Sequence, residues 1–519
     1  MKKMSYLSAI VSVILLASLG IALASPAQQG GSLLPTPTPY PVEELEYELT
    51  IVGGKEEVIV GEGVSQNGIT IGEHTAVSQY PRGIIFRTTI ETENDVAIES
   101  ATVFLRYDAN SGTRVSAELD PTTGEWVAHI WESGNGRPPW THFRYFWRVV
   151  DANGNTAETE PIAMYYSDPT REWYRVETPH VVLYWFGTTE VEPETVAQWV
   201  AEAVASTEPR RIAGFGQPLS YKPHGVLFPD DVSLAEMYGS GTTNDNAAGF
   251  TSSDLGMTVQ EFGMPSDAWF ERQAECIYLR PREERTEEVR LRGAVFSTIP
   301  HEIAHLYQYE NGGAIGPQWW SEGQADYFTH SAGRYDFRLS ELAKLDPNLP
   351  PLSIETSIGA QAFQADGCYA LAYDVGASFI NWLLTNYGGI DTHRQIVENY
   401  TSGMTVYEAI EAATGKSFFD LENEWRAYLG FNQLTLADVD PAAALEEAPN
   451  AKYQPNDTVV LPGPRPVILK DAPGGVIGNA QCFAGTSVTI LRVGTLEGID
   501  WYEVDCLGLV GWLTLDELE

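Results

Sequence analysis

Residues 301–305 read His-Glu-Ile-Ala-His, and Glu322, seventeen positions past the second histidine, stands in the run Trp319-Trp320-Ser321-Glu322-Gly323-Gln324-Ala325-Asp326-Tyr327. On a helix, His301 and His305 stand one turn apart on one face, so both imidazoles can reach a single metal ion. Glu302 sits beside them as a candidate base, and Glu322 offers a third donor from a second helix. The pairing constrains the fold: two helices must pack so that three side chains converge. Two neutral imidazoles, one carboxylate and one open position describe a catalytic zinc site; a structural site is closed by four protein ligands. The five-residue motif alone arises by chance on the order of once per hundred chains with this histidine content, and its bland alternative is a surface helix with two solvated histidines. The Glu-Gly segment downstream weighs against that alternative, because nothing else requires it at this distance.

A chain of 519 residues is long enough for several domains and an ample core. With 71 acidic against 31 basic side chains, the formal charge is −40. Nucleic acid is excluded as a partner, because phosphate binding draws on clustered Lys and Arg. The N-terminus has the form of an export signal. Lys2 and Lys3 precede an apolar run from Leu7 to Ala24, and Ala22-Leu23-Ala24 fits a signal peptidase site. Residues 1–24 are read as a signal peptide, with a retained anchor as the alternative. The expected location is extracellular or at the cell surface. An even number of cysteines fits an oxidising compartment. The simplest pairing joins Cys276 to Cys368 and Cys482 to Cys506, one of three connectivities that four cysteines allow.

The expected architecture is multidomain: an all-β sandwich, an α+β domain, then a small β-barrel. Residues 25–44 are a Pro-rich spacer. Residues 45–168 carry β-rich runs, at 84–90, 101–107, 143–150 and 161–166, separated by turn residues, as in an immunoglobulin- or fibronectin-like sandwich. Asp151-Ala152-Asn153-Gly154-Asn155 has calcium-loop composition but lacks the distal glutamate, so a hairpin turn is expected. Residues 172–436 run from strands to helices. Strands are expected at 180–186, 225–228 and 276–279, and helices at 194–205, from 287 onward, and at 368–387, 395–400, 406–413 and 418–429. Residues 437–462 are an Ala-, Pro- and Glu-rich linker. Residues 463–519 return to short β patterns, near the lower size limit for independent folding.

The middle segment resembles the gluzincin metallopeptidases, in particular the secreted peptidase-MA-like group. The motifs that carry this are His301-Glu302-x-x-His305, Trp319-x-x-Glu322-Gly323-x-Ala325-x-Tyr327 and Tyr373-Asp374-Val375-Gly376-Ala377. The last is similar to the Tyr-Glu-x-Gly-Ala segment of related aminopeptidases. The tail is similar to bacterial SH3-like domains at Gly485-Thr486-x-Val488 and from Trp501-Tyr502 to Gly511-Trp512. The resemblance implies a zinc-dependent peptidase that holds one Zn²⁺ on His301, His305 and Glu322, with Glu302 as general base and Tyr373 as oxyanion donor. It also implies an edge strand that aligns a peptide or protein substrate, expected at 275–280, and Cys276 and Cys368 would staple that strand to the helical half. There are two departures from the aminopeptidase members: the His305-to-Glu322 gap is shorter by two, and no Gly-x-Met-Glu-Asn segment, which holds the substrate amino terminus in those enzymes, is present. The expected activity is that of an endopeptidase, with an aminopeptidase as an alternative. The rival reading is a non-catalytic surface protein whose β domains contact cell wall or polysaccharide.

Several roles stay open on the residues themselves. Tyr373 lies on an amphipathic stretch with Phe379 and Trp382 and fits core packing as well as catalysis, with Tyr369 as its substitute. Asp326, one turn past Glu322, either orients a ligand histidine or is a solvated carboxylate. Trp319 and Trp320 read as core anchors. His330 lies about two turns past Glu322, too far to be a ligand. His74, His129, His142, His180, His224 and His393 are scattered and receive no role. Pro300, just before the first ligand, predicts that the metal helix starts or kinks there.

Overall fold

The computed structural model describes residues 45–131, 137–229, 249–262, 286–312, 316–329, 332–352, 369–439, 441–463, 466–470, 473–474 and 477–519. The export signal, the Pro-rich spacer, Cys276, Cys368, His330 and the strand expected at 275–280 lie outside the described residues. Within them, a sheet-rich N-terminal region precedes a helical middle and a C-terminal sheet domain.

The N-terminal sandwich follows from alternation. Along Ile98–Tyr107, Ala101, Val103, Leu105 and Tyr107 are buried while their neighbours are not, the period-2 pattern of a strand with one face on a core. This strand lies between His142–Asp151 and Gly112–Ser116, and the facing sheet is ordered Val58–Gly61, Ile69–Ser78, Gly83–Thr92, Trp126–Trp131, Glu118–Leu119. The Asp151 segment is a hairpin turn, as expected. Its carboxylate accepts from Asn153 N, Asn155 N and Asn155 Nδ2 at 2.9 Å each, and the flanking strands pair antiparallel. Glu48–Gly53 departs from the expected grouping: it pairs antiparallel with Glu172–Glu177, in the next sheet.

That next sheet has six strands, ordered Glu48–Gly53, Glu172–Glu177, Val182–Trp185, His224–Phe228, Met257–Glu261 and, at the edge, Gly249–Ser252. Its centre is parallel, and helix α1 (Pro193–Phe215) makes the crossover between the two central strands. Both faces are covered. Leu183, Trp185 and Leu227 join the helical core, whereas Val182, Tyr184, Val226 and Phe228 join the sandwich core. Two-sided burial is why the central strands read as unbroken apolar runs. Helix α1 runs ten residues past its expected end at 205, through Pro209, and buries its own Arg211. The Arg211 guanidinium pairs with Glu208 at 2.8 Å, and Glu208 also accepts from Tyr307 Oη at 2.6 Å.

The helical half comprises α2 (Glu287–Gly293), α3 (Ile299–Gly312), α4 (Gln318–Tyr327), α5 (Ala332–Leu345), α6 (Tyr369–Asn386), α7 (Ile390–Thr401), α8 (Val406–Thr414) and α9 (Phe418–Leu429). Local signals set several ends. Thr405 and Glu408 form a capping box at α8, and Gly415 and Gly430 close α8 and α9 in the left-handed region. Inside α9, Glu422 and Arg426 are buried at 0 % and 1 % exposure and pair at 2.9 Å. Leu352 N donates to Glu422, and Arg426 donates to Pro350 O. Arg426→Met would strand a buried carboxylate, so denaturant unfolding should show a loss of about 3–5 kcal/mol. A loss under about 1 kcal/mol would show that the pair does not hold this corner.

The C-terminal domain is one six-stranded sheet, ordered Thr458–Val460, Ser487–Leu496, Ile499–Cys506, Leu509–Thr514, Val467–Lys470, Ile477–Cys482. The segment read as a linker thus contributes its last strand to this sheet, through pairing with Ser487–Leu496. Cys482 and Cys506 form a disulfide with a Cα–Cα distance of 6.2 Å. Closing a loop of 24 residues is worth about 3 kcal/mol in the chain-entropy picture, a large share for so small a core.

Candidate metal centre

Three helices build the centre. Helices α2 and α3 are continuous through a π-helical stretch, Ala294–Thr298, in which Ile299 N bonds back to Ala294 O. Pro300 has no N–H to donate, and a π segment just before it absorbs the missing bond without ending the helix. The helix thus neither starts nor breaks at Pro300, contrary to expectation; the irregularity is the π stretch before it. His301, Glu302 and His305 follow on α3. Helix α4 begins after Pro317 and is anchored by Trp319 and Trp320, 3 % and 5 % exposed. Trp319 Nε1 donates to Leu352 O at 3.1 Å. Both tryptophans are core anchors, and they turn Glu322 and Asp326 toward α3.

The donor atoms converge. His301 Nε2 lies 3.2 Å from His305 Nε2 and 3.2 Å from Glu322 Oε2, and His305 Nε2 lies 3.4 Å from Glu322 Oε2. Two atoms bound at about 2.0–2.1 Å to a tetrahedral ion stand about 3.3–3.4 Å apart. The triangle therefore has the size that one Zn²⁺ requires, and two nitrogens with one oxygen suit that ion over calcium or magnesium.

The other ring nitrogens are fixed. His301 Nδ1 donates to Asp326 Oδ1 at 2.8 Å, and Tyr335 Oη donates to Asp326 Oδ2 at 2.9 Å. With both oxygens bonded, Asp326 is not a solvated carboxylate. His305 Nδ1 lies 2.7 Å from Gln308 Oε1. Gln308 Nε2 donates to Gln324 Oε1, Gln324 Nε2 to His393 Nε2, and His393 Nδ1 to Gly214 O, at 2.7, 2.8 and 2.8 Å. The carbonyl of Gly214 can only accept, so every proton in this chain runs one way. His305 must carry its proton on Nδ1, and its Nε2 lone pair is left facing the triangle.

Charge favours a cation here. Burial alone would depress the His301 pKa, but hydrogen bonds to Asp326 and Glu322 outweigh it and hold it well above the ordinary value. His305 is raised likewise, through Glu322 against its own burial. Burial would raise the Glu322 carboxyl, yet His301 and His305 hold it far below the usual range. Burial, with the carboxylates of Glu322, Glu302 and Asp326, pushes the Tyr373 phenol well up, so it stays a neutral donor. Its ring centroid is 5.8 Å from that of His301.

Glu302 is 5 % exposed. Thr251 Oγ1 donates to its Oε2 at 2.7 Å and lies 2.9 Å from its backbone carbonyl. Thr251 belongs to the edge strand Gly249–Ser252, which pairs on one side with Met257–Glu261. At Gly249 a Cβ would stand 3.0 Å from Glu302 Oε1, so glycine keeps that oxygen's surroundings open. Thr251, Gln308, Gln324, Tyr335 and His393 were not found by the sequence reading. Only Gln308, one turn past His305 on the same helix, carried a local signal.

No protein-family model matches the chain, and no curated protein does. Among solved structures it is similar to an aminopeptidase N family protein from Idiomarina loihiensis, at 11 % identity over 84 % of this chain and 94 % of that one, with a TM-score of 0.26. A likeness of that size carries no weight for fold or activity, and the assignment must come from the site.

Proposed function

We propose that this chain is an exported zinc-dependent peptidase, acting as an endopeptidase on peptide or protein substrates. The triangle of His301, His305 and Glu322, with the Glu302 carboxylate on the same helix, carries the reading. Zinc held there supplies a Lewis acid that acidifies water and polarises a carbonyl. Glu302 is the proton carrier: Thr251 holds Oε2, which leaves Oε1, beside Gly249, to take a proton from water and return it to the leaving amine. Tyr373, neutral and next to the ligands, donates to the oxygen on which charge develops. The edge strand Gly249–Ser252 is the rail for a substrate backbone by strand addition; the strand expected at 275–280 lies outside the described residues. Export agrees with the Cys482–Cys506 disulfide and with the charged, signal-led sequence; among the described residues no helix is long and apolar enough to cross a membrane.

The test is direct. Purified full chain should contain zinc and cleave casein and N-terminally blocked peptides, lose that activity to a chelator, and regain it with added Zn²⁺. Zinc-loaded protein that cleaves nothing across diverse substrates overturns the reading. Asp326→Asn should weaken zinc at the triangle by about 10–100-fold, because His301 loses the charged acceptor that orients it. Competition against a chromophoric chelator measures this, and an unchanged affinity would remove Asp326 from the site.

A further inference from the structure

A second cluster of donors stands on the other face of the central sheet. His224 opens the strand His224–Phe228, and by strand alternation it shares the sandwich-facing side with Val226 and Phe228. Thr251, which holds Glu302, points to the helical side of the same sheet. The sheet therefore lies between this cluster and the metal centre described above. The sandwich supplies the other two donors. His142 opens His142–Asp151, and the register Phe143↔Tyr107 brings Asp108 opposite it. His142 Nδ1 is 2.6 Å from Asp108 Oδ2. One ligand atom from each of Asp108, His142 and His224 lies within 4.8 Å of the others.

We infer that Asp108, His142 and His224 form a second site for a divalent transition-metal ion, one that ties the sandwich to the central sheet. Three observations carry this. Two imidazoles and a carboxylate are the donor set that zinc-class ions prefer over hard cations. The His142 and His224 ring centroids are 5.6 Å apart with their planes nearly parallel, at 7°, so the two imidazoles already stand together where the sandwich meets the central sheet. His224 is 7 % exposed, and its Nδ1 is buried without a hydrogen-bond partner; such a group costs about 1–3 kcal/mol when left unmet. The nearby cation, Arg175, is already held by Glu177. His142 and Asp108 are half-buried, which leaves them room to open their own 2.6 Å contact and close on His224 until the three donors stand about 3.3 Å apart.

The experiment counts ions. Full chain stripped of metal and reloaded with Zn²⁺ alone should take up two ions, one at each donor group. His142→Ala should take up one, and His301→Ala one. Asp108→Asn, a mild change at a half-buried position, should weaken the second ion at least about tenfold and reduce the Zn²⁺-dependent rise in melting temperature. Wild type that binds a single ion, lost in His301→Ala and kept in His142→Ala, overturns this inference and leaves the peptidase reading standing. A single ion lost only in His142→Ala does the reverse. If His142→Ala fails to fold, unchanged zinc affinity in Asp108→Asn is sufficient to reject the site.

Discussion

Glu302→Gln should lower kcat on a peptide substrate by about 10²–10⁴-fold, the usual contribution of a positioned general base, and leave zinc content unchanged. The substitution keeps the side chain's shape. Thr251 Oγ1, 2.7 Å from Oε2, can still bond to an amide there, and the three donor atoms on His301, His305 and Glu322 are untouched. What is lost is the ability to accept a proton. A drop of this size corresponds to about 3–5 kcal/mol of transition-state stabilisation. It should appear in kcat more than in KM, because the proton moves only after substrate is bound. Steady-state kinetics on one blocked peptide, with zinc measured on the same sample, decides it. A variant retaining more than about a tenth of wild-type kcat would mean that another group takes the proton. A variant that loses its zinc would mean that Glu302 acts on the metal centre's structure.

The parts of this centre that were legible in the sequence are those encoded within one turn of helix or one strand. His301 and His305 at i,i+4 and the β-rich run at 101–107 each report on themselves. Glu322 was found because its segment is itself patterned, with Trp319 and Trp320 on the buried side. The residues that escaped are joined only by the fold. Gln324 and His393 are 69 positions apart and share a hydrogen bond; neither has a spacing that announces it. Thr251 approaches Glu302 across 51 positions, from an edge strand whose four residues are all half-buried and so show no alternation. Glu48–Gly53 read as sandwich because strand character says nothing about which sheet a strand will join. His142 and His224 looked scattered for the same reason: their meeting depends on how two sheets stack.

One part of the motif has a physical cause that yields a sharp contrast between two glycines. Gly323 on α4 and Gly376 on α6 are where these helices touch backbone to backbone. A Cβ at Gly376 would sit 1.8 Å from Trp319 O, and one at Gly323 would sit 2.3 Å from the Gly376 carbonyl carbon. These are main-chain atoms, so no rotamer change can make room, and α4 would have to move outward by more than about 1 Å to restore ordinary contact. Helix α4 carries Glu322 next to Gly323, and α6 carries Tyr373 one turn before Gly376. Gly376→Ala should therefore cost at least about 1–3 kcal/mol of stability and also weaken zinc at the triangle, since Glu322 Oε2 begins only 3.2 Å from His301 Nε2 and would be carried away from it. Gly293 is the counterpart. It has helical dihedrals at the junction of α2 with the π segment, and a Cβ there meets nothing within 4 Å. Gly293→Ala should stabilise the chain by up to about 1 kcal/mol, through helix propensity alone, and leave zinc affinity as it was. Thermal unfolding and chelator competition on both variants test the pair together. If Gly376→Ala melts with wild type and holds zinc equally well, the close crossing of α4 and α6 is not what sets the third ligand.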